Sequence, residues 1–211
     1  KYSRLSVFDT VLKIPQSSFT FIEQAFGEGT LWPWMGILGS TAILYTYDED
    51  ILNEVQRWGR DLGLRNEDNT RTFLSAGAIP IFRGPTDLGS WLYYLGDGWT
   101  HTIFALSFTA VGEFSDSPRA FNTGMQIFHG MFVSTIFNQA LKRATGRESP
   151  LVRTEARGRW RPFPSIPAYQ AETAKRDAFP SGHVMTATMT FTVILENYPE
   201  HAYWVRPIEY T

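Results

Sequence analysis

Cysteine is absent from this chain of 211 residues, which excludes disulfides and thiolate metal sites and leaves the compartment open. Charge of one sign is lacking too. The 19 basic and 21 acidic residues leave a formal net charge of −2, and aromatic residues make up 15%. That balance argues against disorder and against a general nucleic-acid binder. No apolar run reaches the ~20 residues of an ordinary spanning helix without a polar or charged interruption. Repeats and low-complexity tracts are missing. Histidine is scarce, at 4 residues. His129 has no second metal-type side chain at helical spacing, so it reads as a core residue and no metal or cofactor is expected.

What is present reads as helices. One domain is the default for this length, with N-terminal helices and lead-in over 1–86 and a second half over 87–211. Residues 1–15 form a lead-in ending at Pro15. Ser17 or Ser18 is placed to cap a short helix that stops at Gly27. Residues 31–47 are almost wholly apolar, with Trp32 and Trp34 at one end and tyrosines at the other. This is the short limit for a membrane span, or a buried core helix. Ile51, Leu52, Val55, Trp58 and Leu62 share one face of an amphipathic helix that Gly63 can end. Residues 65–71 read as a solvated loop, and a weaker segment broken by Pro80 and Pro85 follows. Gly96-Asp97-Gly98 reads as a turn before a helix over 99–114. Ser117-Pro118 opens a long helix that reaches about Ala144 and carries Lys142 near its end.

The stretch Asp177-Ala178-Phe179-Pro180-Ser181-Gly182-His183 organises the rest. Proline breaks what precedes, serine is a preferred N-cap, and glycine admits close approach to the backbone. A mostly buried helix is expected from His183 to Asn197. A hydroxyl, free backbone N–H groups and an imidazole therefore meet at a positive helix terminus, a ready place for an anion such as phosphate. Between Lys142 and Arg176 lie nine basic residues against Glu148, Glu155 and Glu172, a local charge of +6. Pro162, Pro164 and Pro167 keep this segment from regular helix, so it is expected to form a cationic mouth over the site.

Pro180-Ser181-Gly182-His183 resembles the middle motif of the type 2 phosphatidic acid phosphatase and vanadium haloperoxidase superfamily. Lys142, eight residues before Pro150, resembles the lysine of its first motif. A given four-letter word arises by chance in such a chain on the order of once in a thousand. The resemblance implies a mainly α fold, a bundle of about six helices. It implies His183 as general acid and Lys142, Ser181 and Gly182 as phosphate ligands, in a metal-free reaction through a phosphohistidine. Two departures stand out. Ser149 occupies the position of the first motif's arginine, for which Arg147 or Arg161 is the candidate substitute. The third motif, which carries the nucleophilic histidine, is missing: Leu195 and Val205 stand where its arginine and aspartate belong.

The expected substrate is a phosphorylated small molecule or, given the apolar first half, a lipid phosphate or diphosphate. Membrane association and an envelope or periplasmic location go with that reading. Both chain ends read as trimmed, with the catalytic set incomplete at the C-terminus. A soluble acid phosphatase, a vanadate-dependent haloperoxidase and a non-catalytic membrane protein with a relic anion site stay open.

Overall fold

A computed structural model describes residues 3–64, 69–77 and 79–209, and it is mainly helical. Ten α-helices and a two-stranded antiparallel sheet follow one another along the described residues, against the six helices expected. The difference arises where short-range signals subdivide the chain. Ser6 caps a first helix, α1 (Val7–Leu12), inside the expected lead-in, its side chain accepting from the Asp9 N–H. The next, α2 (Ile14–Ala25), takes Pro15 into its first turn rather than starting after it, because proline fits the first turn of a helix. Ser18 is therefore no cap, and its hydroxyl donates back to the Ile14 carbonyl.

Beyond these come α3 (Leu31–Thr46) and α4 (Asp48–Asp61). A β-hairpin, β1 (Thr70–Ala76) and β2 (Ile79–Pro85), replaces the weak segment expected there. Thr70 pairs with Pro85 and Ala76 with Ile79, so both prolines lie in a two-stranded ribbon that has only edges. Of the loop expected at 65–71, residues 65–68 lie outside the described residues, and Thr70 and Arg71 belong to β1. Asp87 caps α5 (Leu88–Leu95), and Asp97 caps α6 (Gly98–Phe114).

The molecule is built on α7 (Pro118–Thr145), capped by Ser117 and closed by Gly146 in the left-handed conformation. Glycines set how tightly α6 lies on it. A Cβ on Gly112 would fall 2.2 Å from the Phe121 nitrogen, and one on Gly124 would fall 2.4 Å from the Ala105 carbonyl. On another side of α7 packs α9 (Gly182–Asn197), with Gly130 against the Met189 sulfur. The two helices are tied at their far ends by Arg119, whose guanidinium donates to the Asn197 carbonyl, pairs with Glu200 and lies over the Tyr198 ring. The expected mostly buried helix is only partly so: in α9 just Thr190 and Asn197 are fully buried. Two short helices complete the chain, α8 (Ile166–Ala171), in which Pro167 occupies the first turn, and α10 (Ala202–Glu209), which buries Val205. Regular helix thus does occur in the proline-rich segment.

The apolar core is small and centred on α7, with Phe121, Met125, Ile127 and Val133 joined by Ala105 of α6. By contrast α3 is apolar around its circumference and buries no residue. Accessible surface totals 14357 Å². A compact monomer of 24.0 kDa is expected to expose about 10,000 Å². Much of the excess is aliphatic and aromatic, including Trp32, Leu38 and Ile43 of α3 and Val55 and Trp58 of α4. None of the described helices is long and apolar enough to cross a membrane.

Candidate functional site

Two helix ends and one turn meet at a cavity of about 230 Å³. The C-terminal turns of α7 contribute Thr135, Asn138, Gln139 and Lys142; the start of α9 contributes Gly182, His183, Met185 and Thr186; the α5–α6 turn contributes Gly96 and Gly98. Local sequence explains the placement. Spacing of four residues puts Asn138 above Lys142 on one face of α7. Ser181 is extended and accepts from the Val184 N–H at 3.3 Å, which starts α9 at Gly182. The N–H groups of Gly182 and His183 consequently have no intrahelical acceptor.

Lys142 and His183, proposed from sequence as the two flanks of the pocket, line the same cavity. The Lys142 ammonium donates to the Asp177 carbonyl at 2.5 Å and lies 3.7 Å from the Asp177 carboxylate. It thereby sits beside Gly182: a Cβ built there would be 4.0 Å from Nζ. The same point is 3.6 Å from the Asn138 Nδ2 atom, so two nitrogen donors converge on the space that glycine leaves open. Asn138 is only 3% exposed, and its Oδ1 has no hydrogen-bond partner among the described residues.

His183 stacks at a tilt against Tyr93, with ring centroids 4.4 Å apart. Its Nε2 is buried and without a partner among the described residues. Burial lowers its pKa below the ordinary histidine value, Asp97 opposes that, and the Lys142 charge adds to it. The ring is therefore held largely neutral at pH 7 in the absence of an anion. A second imidazole, His101, lies fully buried on α6 near Phe104 and Phe191, and among the described residues neither ring nitrogen has a partner in good geometry. Desolvation lowers its pKa as well; the Leu95 carbonyl and Asp97 pull upward, and His183 pushes down. Asp97, read from sequence as a turn residue, caps α6 through the Trp99 N–H and so fixes a carboxylate that acts on both imidazoles.

The other residues singled out from sequence go elsewhere. Ser181 is exposed, with its oxygen engaged as the cap. Arg147 donates to Asp48 at the start of α4 at 2.6 Å and lies against the Trp160 ring, away from the cavity lining. Arg161 pairs with Glu148 and donates to the Lys175 carbonyl. Neither candidate for the guanidinium missing at Ser149 lines the cavity.

Most cations of the expected cationic mouth are paired with carboxylates, some within the segment and some on α4. Arg153 and the Arg157 N–H both bind Glu49 of α4, Arg159 pairs with Glu155, and Lys175 and Arg176 pair with Glu172. Arg143 bonds Gln139 and lies over Tyr169. The cluster serves chiefly to fasten the segment, since its acidic partners Asp48 and Glu49 lie about a hundred residues earlier. At its centre Glu148 is 1% exposed and accepts from Thr154 and Arg159 N–H groups and from Arg161. Burial opposes ionisation there, yet these donors bring its pKa down to about 2.

Among the described residues, no group of three or more His, Asp or Glu is arranged to hold a metal ion. His129, expected in the core, is half-buried in α7 and bonds the Thr10 carbonyl through Nδ1 at 2.9 Å. Sequence reasoning missed Asn138, Gly96 and His101, because each matters only through elements brought together by folding. No family model, no curated protein and no solved structure matches this chain.

Proposed function

We propose that this chain binds the phosphoryl group of a phosphomonoester or diphosphate and takes part in its metal-independent hydrolysis. One observation carries the reading: the Lys142 ammonium, the open space at Gly182 and His183, whose Nε2 has no partner among the described residues, belong to one small cavity at a helix N-terminus. Lys142 and the backbone N–H groups of Gly182 and His183 supply positive potential for the phosphoryl oxygens. Charge stabilisation and positioning dominate phosphoryl transfer, and a placed acid contributes ~10²–10⁴-fold. When a nucleophile attacks phosphorus and the P–O bond to the leaving group breaks, His183 gives its proton to the departing oxygen. A bound anion raises the tendency of His183 to hold that proton, offsetting the lowering caused by burial and by Lys142.

The nucleophile is not identified among residues 1–211. By resemblance it is a histidine of a third motif, reacting through a phosphohistidine in a helical bundle of the phosphatidic acid phosphatase kind. A cavity of about 230 Å³ is smaller than the ~300–1,000 Å³ typical of whole-ligand pockets, which fits a phosphate head with the remainder of the substrate outside. Exposed apolar helices α3 and α5 favour a lipid remainder, with association at a membrane of the cell envelope.

Titration with orthovanadate and inorganic phosphate, followed through the His183 ring resonances, tests the reading. Binding that is lost in Lys142→Ala is expected; absence of binding in the wild-type chain would sink the proposal. Turnover of a phosphomonoester in the presence of chelator, abolished by His183→Ala in a folded protein, separates an enzyme from an anion-binding relic. Unchanged turnover in that variant removes His183 from the acid role.

A further inference from the structure

The cavity holds a group that a simple cationic anion site does not need. Asn138 is neutral, 3% exposed and lines the cavity, with one end of its carboxamide near Gly182 and the other end without a partner. A buried polar atom left unpaired is unfavourable, and native interiors keep few of them. Leucine has nearly the same shape and would fill the place without that cost. A carboxamide also differs from lysine or arginine in kind. Whichever way it is turned, one end donates and the other accepts.

We propose that Asn138 reads the bound oxyanion as a donor–acceptor pair, giving one hydrogen bond to a phosphoryl oxygen and accepting one from a P–OH group. The site thereby selects a protonated, singly charged phosphate over a fully deprotonated oxyanion. This rests on the reading of the cavity as a phosphate site and adds the form of ligand it takes. The geometry is the convergence described above: Nδ2 and the Lys142 ammonium lie 3.6 and 4.0 Å from the single point beside Gly182 where a side chain is missing. An oxyanion centred near that point meets one positive charge from Lys142. Arg147 and Arg161 are occupied by Asp48 and Glu148. Asp177, 3.7 Å from the same ammonium, further limits the positive charge available to a dianion. Other titratable groups nearby include His183, on α9, with Tyr93 of α5 stacked on it, and Asp97 and His101 at and within α6. A lysine already shared with a carboxylate, together with a neutral acceptor, suits a monoanion carrying its own proton.

Sulfate provides the comparison, since it is tetrahedral and of similar size but carries no proton at pH 5.5, whereas inorganic phosphate is then chiefly the monoanion. On charge alone Lys142 would favour the sulfate dianion. Calorimetric titration of the wild-type chain at pH 5.5 with sodium phosphate and with sodium sulfate is expected to show phosphate bound at least about tenfold more tightly. Asn138→Leu is expected to weaken phosphate by about tenfold or more, to abolish the preference, and to leave the melting temperature unchanged or higher. Equal affinities in the wild-type chain, or a preference that survives in a folded Asn138→Leu variant, overturn the role of Asn138. Asn138→Ala, which removes the carboxamide without adding bulk, is expected to abolish the preference in the same way, and a preference that survives in it overturns the role of Asn138 if the leucine variant does not fold. Failure of both anions to bind removes the phosphate site altogether, a different outcome from equal binding.

Discussion

Gly96 is pressed against His183 so closely that a Cβ on the glycine would stand 2.5 Å from the histidine Cβ and 3.0 Å from its Cα. The α5–α6 turn is thereby the wall that fixes the imidazole. The backbone of Gly96 is in an ordinary right-handed conformation, with φ −96°, so only space demands glycine there.

Gly96→Ala is therefore expected to push the start of α9 away from α6. Backbone atoms of His183 cannot yield as a flexible side chain would, and overpacking of this kind costs about 1–3 kcal/mol. Thermal melting should fall modestly. The change in the His183 ring resonances should be larger than that in His129, which lies elsewhere on α7. Unperturbed His183 resonances would show that the turn does not position it.

Gly182→Ala should do the opposite to stability. The added Cβ meets Asn138 Nδ2 at 3.6 Å and two Lys142 atoms at 4.0 Å, all ordinary contacts. Alanine is favoured over glycine within a helix by roughly 0.5–1 kcal/mol, somewhat less at a first-turn position. A melting temperature equal to or above wild type is expected, together with at least a tenfold loss of phosphate affinity, because the methyl occupies the point where the donors converge. Retained affinity would place the ligand elsewhere.

Stability should decline with acid in two stages. His101 and His183 both have pKa values lowered in the folded chain, so the unfolded chain binds protons first. Their contribution is full above the unfolded histidine pKa of about 6.5 and is lost as the pH falls through and below it. Glu148 is lowered from 4.5 to about 2, so its share persists above 4.5 and is lost as the pH falls toward 2. Denaturant unfolding from pH 8 to pH 3 measures this. His101→Phe is expected to flatten the upper stage and leave the lower one; saturating phosphate should also flatten the upper stage by favouring protonated His183.

Glu148→Gln should loosen the fastened segment. The carboxylate accepts from Thr154, Arg159 and Arg161 while shielded from water. A carboxamide would turn donors toward donors, and losing one partner of a buried charged network costs about 3 kcal/mol. Proteolysis between residues 149 and 176 should quicken while α6, α7 and α9 stay protected. An unaltered cleavage pattern would mean that the pairs with Asp48 and Glu49 hold the segment without Glu148.

Much of the site was legible locally. Ser181 before Gly182 marks the start of α9, and Ser117-Pro118 with Gly146 brackets α7, since capping involves groups only a few residues apart. Those two elements put Lys142 near the C-terminus of one helix and His183 at the N-terminus of another. The first turns of the chain were misjudged, as Pro15 lies in the first turn of α2 instead of ending a lead-in. The hairpin at 70–85 escaped because its prolines discourage a strand anywhere but at an edge.

The sequence by itself determined the helix ends, the lysine and the histidine, because propensity and capping act within one or two turns. Only the tertiary structure decided what the charges and the neutral polar groups do. Arg147 and Arg153 find Asp48 and Glu49 across roughly a hundred residues, which no local pattern encodes. Asn138 becomes part of a site solely because α9 begins beside it, and Gly96 because the α5–α6 turn closes on His183. Contacts between distant segments depend on how whole helices pack, and packing is a property of the assembled surfaces.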